Sequence, residues 1–155
     1  TLIKVGLDAG FVPNVHAIGT RGVAEMLDLY ERLKNEGVDL KGFRVIHAQV
    51  LRPQDFPRFK ALNVIAEVNP YHLSDDMRWM EERIGHERGK GAYAFKSLLD
   101  NGAMLSFGSD WPGIIDIKKN VSAILDLPLS KSTKAKILGK NAATLLGIEG
   151  IKGGK

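Results

Sequence analysis

The chain has 155 residues, of which 44% are hydrophobic and 26% charged, a composition typical of one globular domain with its own core. Its net charge of +4 comes from 22 basic and 18 acidic residues that are interspersed, so we expect no nucleic-acid partner. Cysteine is absent and no apolar run reaches the roughly 18 residues of a membrane span, which excludes disulfides and thiolate metal sites and predicts a cytoplasmic protein with no membrane contact.

Short apolar strands alternate with amphipathic helices along the chain. Strands are predicted at residues 12–19, 43–50, 63–70 and 103–110. Helices are predicted to end at Gly10 and to cover residues 21–37, 53–62, 92–102, 117–127 and 130–147, the last of them capped by Ser130. A polar excursion at 71–91 follows the third strand. This alternation predicts parallel strands joined by right-handed crossovers, and therefore an α/β fold.

Polar side chains stand at or near the carboxyl ends of these strands. His16, His47 and Asp110 occupy three of the ends, and the third strand runs into "NPYHLSDD", which contains His72. Functional groups gather at this edge in α/β folds. Two imidazoles and a carboxylate suit zinc, and less specifically iron or manganese, and the carboxylate can instead act as a general base. The alternative, a structural histidine hydrogen-bonded in each strand, stays open on periodicity alone.

The motifs at the strand ends resemble those of a known family. "HAIG" with an arginine soon after it, "HAQ", "NPYH" and "FGSDWP" occur over about residues 10–113 in the order typical of the amidohydrolase superfamily, in particular the branch that includes the N-substituted formamide deformylases. The resemblance implies a (β/α)₈ barrel of TIM type with these four strands as its fifth to eighth. It also implies hydrolysis of C–N bonds, other than peptide bonds, by a metal-activated water.

The same resemblance implies roles for individual residues. His16 and His47 would bind the metal, and Asp110 would be a ligand or the general base. His72 would lie near a small amide-type substrate, and Arg88 would reach toward the site from the long excursion. For Arg88, a surface salt bridge is the alternative interpretation. The cofactor would be a divalent metal, with zinc ahead of iron and manganese.

Departures from the family pattern predict an incomplete site. The family's first-strand His pair and fourth-strand bridging ligand have no counterpart, and a barrel of this type takes about 250 residues. We therefore expect a C-terminal fragment, a single partial barrel domain at 1–155 whose residues 114–155 form its C-terminal helical segment. After Pro112 the chain resembles the shorter ending of another amidohydrolase branch. Thr20 replaces a family aspartate that could orient Arg21 or a ligand imidazole.

Three functions are compatible with these patterns. The first is part of a metal-dependent amidohydrolase, with metal binding and hydrolysis both weak in the isolated chain. The second is a non-catalytic half-barrel that forms a homo-oligomer or pairs with a missing N-terminal half, because four strands leave two open edges and an inner face that we expect to be apolar. The third is an unrelated α/β binding domain with structural histidines.

Overall fold

Four parallel strands form the centre of the protein. The computed structural model describes residues 2–110 and 116–148. Within them the sheet order is β1-β2-β3-β4, with β1 at Asn14–Ala17, β2 at Arg44–His47, β3 at Ile65–Val68 and β4 at Met104–Phe107. Each strand is shorter than predicted, because the apolar runs continue beyond the residues that pair and form the strand-to-helix loops. The predicted α/β class is confirmed, and the arrangement fits part of a TIM barrel.

Helices precede, connect and follow the strands. They are α1 (Leu2–Asp8), α2 (Thr20–Asn35), α3 (Phe56–Leu62), α4 (His72–Asp76), α5 (Met80–Ile84), α6 (His86–Gly89), α7 (Phe95–Asp100), α8 (Ile117–Asp126), α9 (Lys131–Ala135) and α10 (Asn141–Leu146). A 3₁₀ turn at Pro53–Asp55 precedes α3, and a π-helical segment at Lys136–Lys140 joins α9 to α10. As predicted, Ser130 caps α9, since its hydroxyl accepts a hydrogen bond from the backbone N–H of Thr133 (3.1 Å).

The excursion at 71–91 contains three helices that the sequence pattern did not predict. Each of α4, α5 and α6 has only four or five residues and no buried side chain. A helix this short shows no hydrophobic periodicity, so its residues read as a polar loop.

The hydrophobic core covers one face of the sheet. The register places Val45, Ala66 and Leu105 side by side on that face, where they are buried among side chains of α2, α3 and α7. The apolar stripe predicted for α2 is the one that packs there: Val23, Leu27, Tyr30 and Leu33 are buried, and Met26 is half-buried.

The opposite, inner face of the sheet is mixed, and the expectation of an apolar face is wrong. The strand register pairs Asn14 with Arg44 on this face. It pairs Glu67 of β3 with Ile46, two residues after Arg44 on the same face. Nη1 of Arg44 lies 2.9 Å from Oε2 of Glu67, and its Nε donates to Oδ1 of Asn14 (2.5 Å). Apolar side chains, among them Ile46 and the exposed Met104, surround this ion pair.

Some predictions fall outside the described residues. These are Trp111 and Pro112 of the "FGSDWP" motif and the parts of the 114–155 segment at 114–115 and 149–155. The single domain at 1–155 stays a prediction. Among the helices of the described residues, none combines the length and the apolar composition needed to cross a bilayer.

A buried carboxylate links the helices that cover the core. Asp55, whose side chain is fully buried, accepts hydrogen bonds from Nε (2.7 Å) and Nη2 (3.0 Å) of Arg52 and from Nη1 of Arg58 (3.2 Å). Nη2 of Arg58 also pairs with Asp28 (2.7 Å) and Glu31 (3.1 Å) of α2. Burial by itself would raise the pKa of Asp55, but the hydrogen bonds from the two arginines outweigh it and hold the pKa below its usual range.

We predict that Asp55→Asn lowers the free energy of unfolding by roughly 2–3 kcal/mol at pH 7, because it leaves two guanidinium groups without their buried partner. Urea unfolding measures this change. Since the pKa of Asp55 is lower in the folded state than its unfolded value of about 3.9, the carboxylate's contribution is complete above that pH. It is lost as the pH falls through the folded pKa, so the two proteins should converge there.

Glu25→Gln is the control, because Glu25 pairs with Arg21 on the exposed surface of α2. Its effect should stay within about 0.5 kcal/mol. Equal stabilities of the wild type and Asp55→Asn at pH 7 would contradict the role given to Asp55.

Candidate active site

Two histidines meet where β1 and β2 end. In the strand register, Ala17 pairs with His47, and His16 stands one residue earlier on the neighbouring strand. The two imidazole rings are in edge contact, with centroids 4.3 Å apart and planes at 70°. His16 is exposed, whereas His47 is only 4% exposed.

A left-handed backbone directs His47 toward His16. Side chains alternate between the faces of a strand, so His47, two residues after the core residue Val45, would continue on the helix-covered face. Instead, the φ of His47 is 73° and that of Ala48 is 41°, and the strand ends there. Asp110 is also left-handed, with a φ of 55°. Such conformations are uncommon outside glycine and are concentrated at functional sites.

His72 and Asp110 extend the cluster. The His72 ring, at the start of α4, lies 5.5 Å from the His47 ring between centroids. Nε2 of His72 is 3.0 Å from Oδ2 of Asp110, an ion-pair distance without the alignment of a hydrogen bond. The structure therefore brings together His16, His47, His72 and Asp110 at the carboxyl edge of the sheet, each in contact with the next.

The imidazole nitrogens and the carboxylate oxygens of this cluster are donor types that bind divalent metals. Nδ1 of His47 and Nε2 of His72 are buried and have no hydrogen-bond partner, which is unusual for buried polar atoms unless an ion or water satisfies them. Burial lowers the pKa of His47, the nearby His16 and His72 lower it further, and Asp110 opposes them. A neutral imidazole is the form that binds metals. Nevertheless, no three such side chains within residues 2–110 and 116–148 are arranged around one point that could hold a metal.

Arg88 lies at the edge of the same region. Its Nη2 donates a hydrogen bond to Oγ1 of Thr20, the first residue of α2 (3.3 Å). Thr20 is thus the neighbour of Arg88. Arg21, which an aspartate at position 20 could have oriented, pairs instead along its own helix with Glu25 (2.6 Å). Among the described residues Arg88 forms no ion pair, so the salt-bridge alternative finds no support there.

A further group was not predicted from the sequence. Oδ2 of Asp76 accepts hydrogen bonds from Nε2 of Gln49 and from the hydroxyl of Tyr93 (2.5 Å). These residues are 27 and 17 positions away from Asp76 along the chain, so spacing gave no indication of the contact. The signals that could have pointed to it are the position of Gln49 in "HAQ" and the spacing of four between His72 and Asp76, which places both on one face of a helix.

The glycine of the "FGSD" motif, Gly108, packs closely against two polar side chains near the cluster. A Cβ at Gly108 would lie 2.9 Å from Oε1 of Glu67 and 3.2 Å from Oδ1 of Asn69. Both contacts are shorter than ordinary van der Waals distances, so a larger residue would displace the side chains of Glu67 in β3 and of Asn69 just after it. Oδ1 of Asn69 and Oγ of Ser106 are buried there without hydrogen-bond partners.

Comparisons with known proteins identify relatives of this chain. Residues 2–125 match the sequence model of the amidohydrolase family. The chain is 41% identical over 106 residues to the Arabidopsis thaliana "Protein LONG AFTER FAR-RED 3". It is 32% identical over 111 residues to the Bacillus subtilis (strain 168) protein named "Putative amidohydrolase YtcJ". These matches cover 67% and 72% of this chain but only 18% and 21% of the two relatives.

Two crystal structures share the fold. An uncharacterized metal-dependent hydrolase from Pyrococcus furiosus superposes with a TM-score of 0.78 and 27% sequence identity, over 96% of this chain and 32% of its own. Another from Pyrococcus horikoshii OT3 gives a TM-score of 0.71 and 27% identity, over 95% of this chain and 32% of its own. The chain therefore corresponds to a part of each hydrolase.

We predict that Thr20→Asp stabilises the contact between α2 and the excursion. A carboxylate would replace the neutral hydroxyl that accepts the hydrogen bond from Arg88 and so form an ion pair with the guanidinium, and its charge would also interact favourably with the positive N-terminus of α2. The expected gain in the free energy of unfolding is about 0.5–1 kcal/mol, measured by urea unfolding at low salt. Thr20→Asn is the control without charge. A gain that persists when Arg88 is replaced by alanine would show that the helix terminus alone produces it.

Proposed function

This chain belongs to the amidohydrolase family, and on that premise we propose that it forms part of a metal-dependent hydrolase of C–N bonds other than peptide bonds. One observation carries the proposal. Three imidazoles and a carboxylate converge at the carboxyl edge of a parallel sheet, and two buried imidazole nitrogens among them lack partners. A divalent metal, zinc ahead of iron and manganese, would supply Lewis acidity and a water with a pKa lowered toward about 7.

In this proposal each residue has one principal task. His16 and His47 would hold the metal through their imidazole nitrogens. Asp110 accepts a proton from the attacking water as general base, a role that its contact with His72 supports by keeping the carboxylate in place. His72 contacts an amide-type small-molecule substrate, and Arg88 stands at the rim, where its guanidinium can meet the substrate's polar end.

We also propose how the chain fits into the barrel. The four strands would be the fifth to eighth of a (β/α)₈ barrel, and residues 1–155 would form one partial domain. The order β1-β2-β3-β4, with every neighbouring pair parallel, supports this placement. The remaining metal donors would then come from other strands of the barrel. The cytoplasmic location stays a prediction.

We predict that the isolated chain retains less than one equivalent of Zn²⁺ or Mn²⁺ after dialysis and hydrolyses N-formyl compounds and simple amides slowly, well below about 1 s⁻¹. A catalytic zinc typically keeps three protein ligands, and the described residues offer no arranged set of three. Elemental analysis and an amide-hydrolysis assay measure the two quantities.

His47→Ala should abolish the residual metal binding. His86→Ala is the control, because His86 is exposed and pairs with Glu81 (2.7 Å) on the excursion. Turnover at about 1 s⁻¹ or above that is lost in His47→Ala would show that this chain holds a complete site. Equal metal retention by the wild type and His47→Ala would overturn the ligand role.

The open sheet supports a second proposal, assembly without catalysis. Within the described residues β1 pairs only with β2, and β4 pairs only with β3, so neither has a partner strand at its outer edge, although the Leu105 carbonyl of β4 accepts a hydrogen bond from Nδ2 of Asn141 (2.6 Å). Met104 of β4 is 41% exposed on the inner face. We propose that these edges and the inner face are covered by a second copy of the chain or by the remaining half of a barrel.

We predict that the purified chain is a dimer or larger oligomer in light scattering. Met104→Lys should shift it toward monomers, because the substitution places a charge on the inner face of an open strand. Leu125→Lys is the matched control, since Leu125 is a similarly exposed apolar residue on α8, away from the sheet. A monomer at high concentration that binds no hydrophobic dye would contradict this assembly.

A further inference from the structure

We infer that Asp76 is a positioning residue of the candidate site, which acts on His72 through the short helix α4. This inference rests on the proposed function for its meaning, since it concerns where His72 stands relative to Asp110 and His47. Oδ2 of Asp76 accepts two hydrogen bonds, from Nε2 of Gln49 and from the hydroxyl of Tyr93. The three residues come from three separate segments that meet beside the site.

The partners of Asp76 are themselves fixed. Gln49 follows the left-handed residues that end β2, and its backbone carbonyl accepts a hydrogen bond from the N–H of Tyr93 (2.8 Å). Two residues later, the N–H of Leu51 donates to the carbonyl of Gly91 (2.9 Å). Gly91 is tightly packed there, because a Cβ would lie 1.9 Å from the Leu51 oxygen. The end of the excursion is therefore held firmly against the loop after β2.

The helix that carries His72 depends on such an anchor. It has five residues, fewer than an isolated helix needs for stability, and none of them is buried. His72 and Asp76 are its first and last residues, one turn apart on the same face. The start of α4 is held where the N–H of Tyr71 donates to Oδ1 of the buried Asn120 (3.1 Å), and the link at Asp76 holds its end, so that Nε2 of His72 stands 3.0 Å from Oδ2 of Asp110.

The chemistry of the link makes it strong. A carboxylate that accepts two hydrogen bonds forms charge-assisted bonds, which are shorter and stronger than neutral ones. Burial raises the pKa of Tyr93, and the neighbouring Asp76 raises it further, so the hydroxyl stays protonated and remains a donor. Asp75, the adjacent carboxylate on α4, is exposed. The two aspartates thus provide a matched pair for an experiment.

The test uses the metal-free chain and measures the modification rate of each histidine by diethyl pyrocarbonate, resolved by mass spectrometry at one fixed pH. Asp76→Ala should raise the rate at His72 about tenfold, the change expected when α4 loses an interaction of about 1.4 kcal/mol. The rates at His16 and His86 should stay unchanged. Asp75→Ala should leave every rate unchanged. The imidazole NMR signal of His72 should shift in Asp76→Ala and stay in place in Asp75→Ala.

Equal His72 rates in Asp76→Ala and Asp75→Ala would overturn the inference, as would a uniform rise at every histidine in a folded protein. If Asp76→Ala fails to fold, the variant Tyr93→Phe tests the inference instead. It removes one of the two hydrogen bonds with little change of shape, and it should raise the His72 rate in the same direction by a smaller factor, whereas an unchanged rate would overturn the inference. Because no metal or substrate enters these measurements, they can fail or succeed independently of the proposed hydrolase function.

Discussion

The left-handed backbone at His47 is the constraint on which the site depends. A regular strand would direct this imidazole toward the helices, and the contact with His16 would not form. The conformation costs on the order of 1–2 kcal/mol for a residue with a Cβ. It persists because the following residues are fixed by backbone hydrogen bonds, from Val50 to the Ile18 carbonyl and from Leu51 to the Gly91 carbonyl (both 2.9 Å). The loop after β1 and the end of the excursion therefore hold the loop after β2 in this conformation.

The ion pair between Arg44 and Glu67 lies on the mixed inner face of the sheet. Arg44 and Glu67 are both less than one-third exposed, and a partly buried pair of this kind adds little net stability, because desolvation offsets the Coulomb attraction. Its effect is on specificity. Any segment that covers the inner face must accommodate the pair as well as the apolar Met104, so a general hydrophobic contact would leave charges without partners. We therefore expect the inner face to be covered by a surface whose charged and apolar groups match those of this face.

The sequence predicted the features that depend on local pattern. Strand ends, the α2 stripe and the Ser130 cap follow from periodicity and side-chain chemistry, and parallel pairing then brings His16 and His47 to one edge. The sequence could not show which way His47 turns, because the deciding φ is set by loops that pack from elsewhere. It also could not reveal the contact of Asp76 with Gln49 and Tyr93, since distant polar pairs leave no periodic signal.

The two sides of the sheet are held by different kinds of interaction, and this difference bears on function. Apolar burial and the fully buried Asp55 hold the helices on the core side, so that side can only open cooperatively. The excursion has helices without buried residues and is attached through separate polar contacts, at Tyr71, whose N–H donates to Oδ1 of Asn120, at Asp76, at Arg88 and along 91–93. Such contacts contribute about 1 kcal/mol each and can break singly. The segment that carries His72 is therefore expected to open at a lower free energy than the core, a movement that the proposed hydrolase would need for the entry of a substrate.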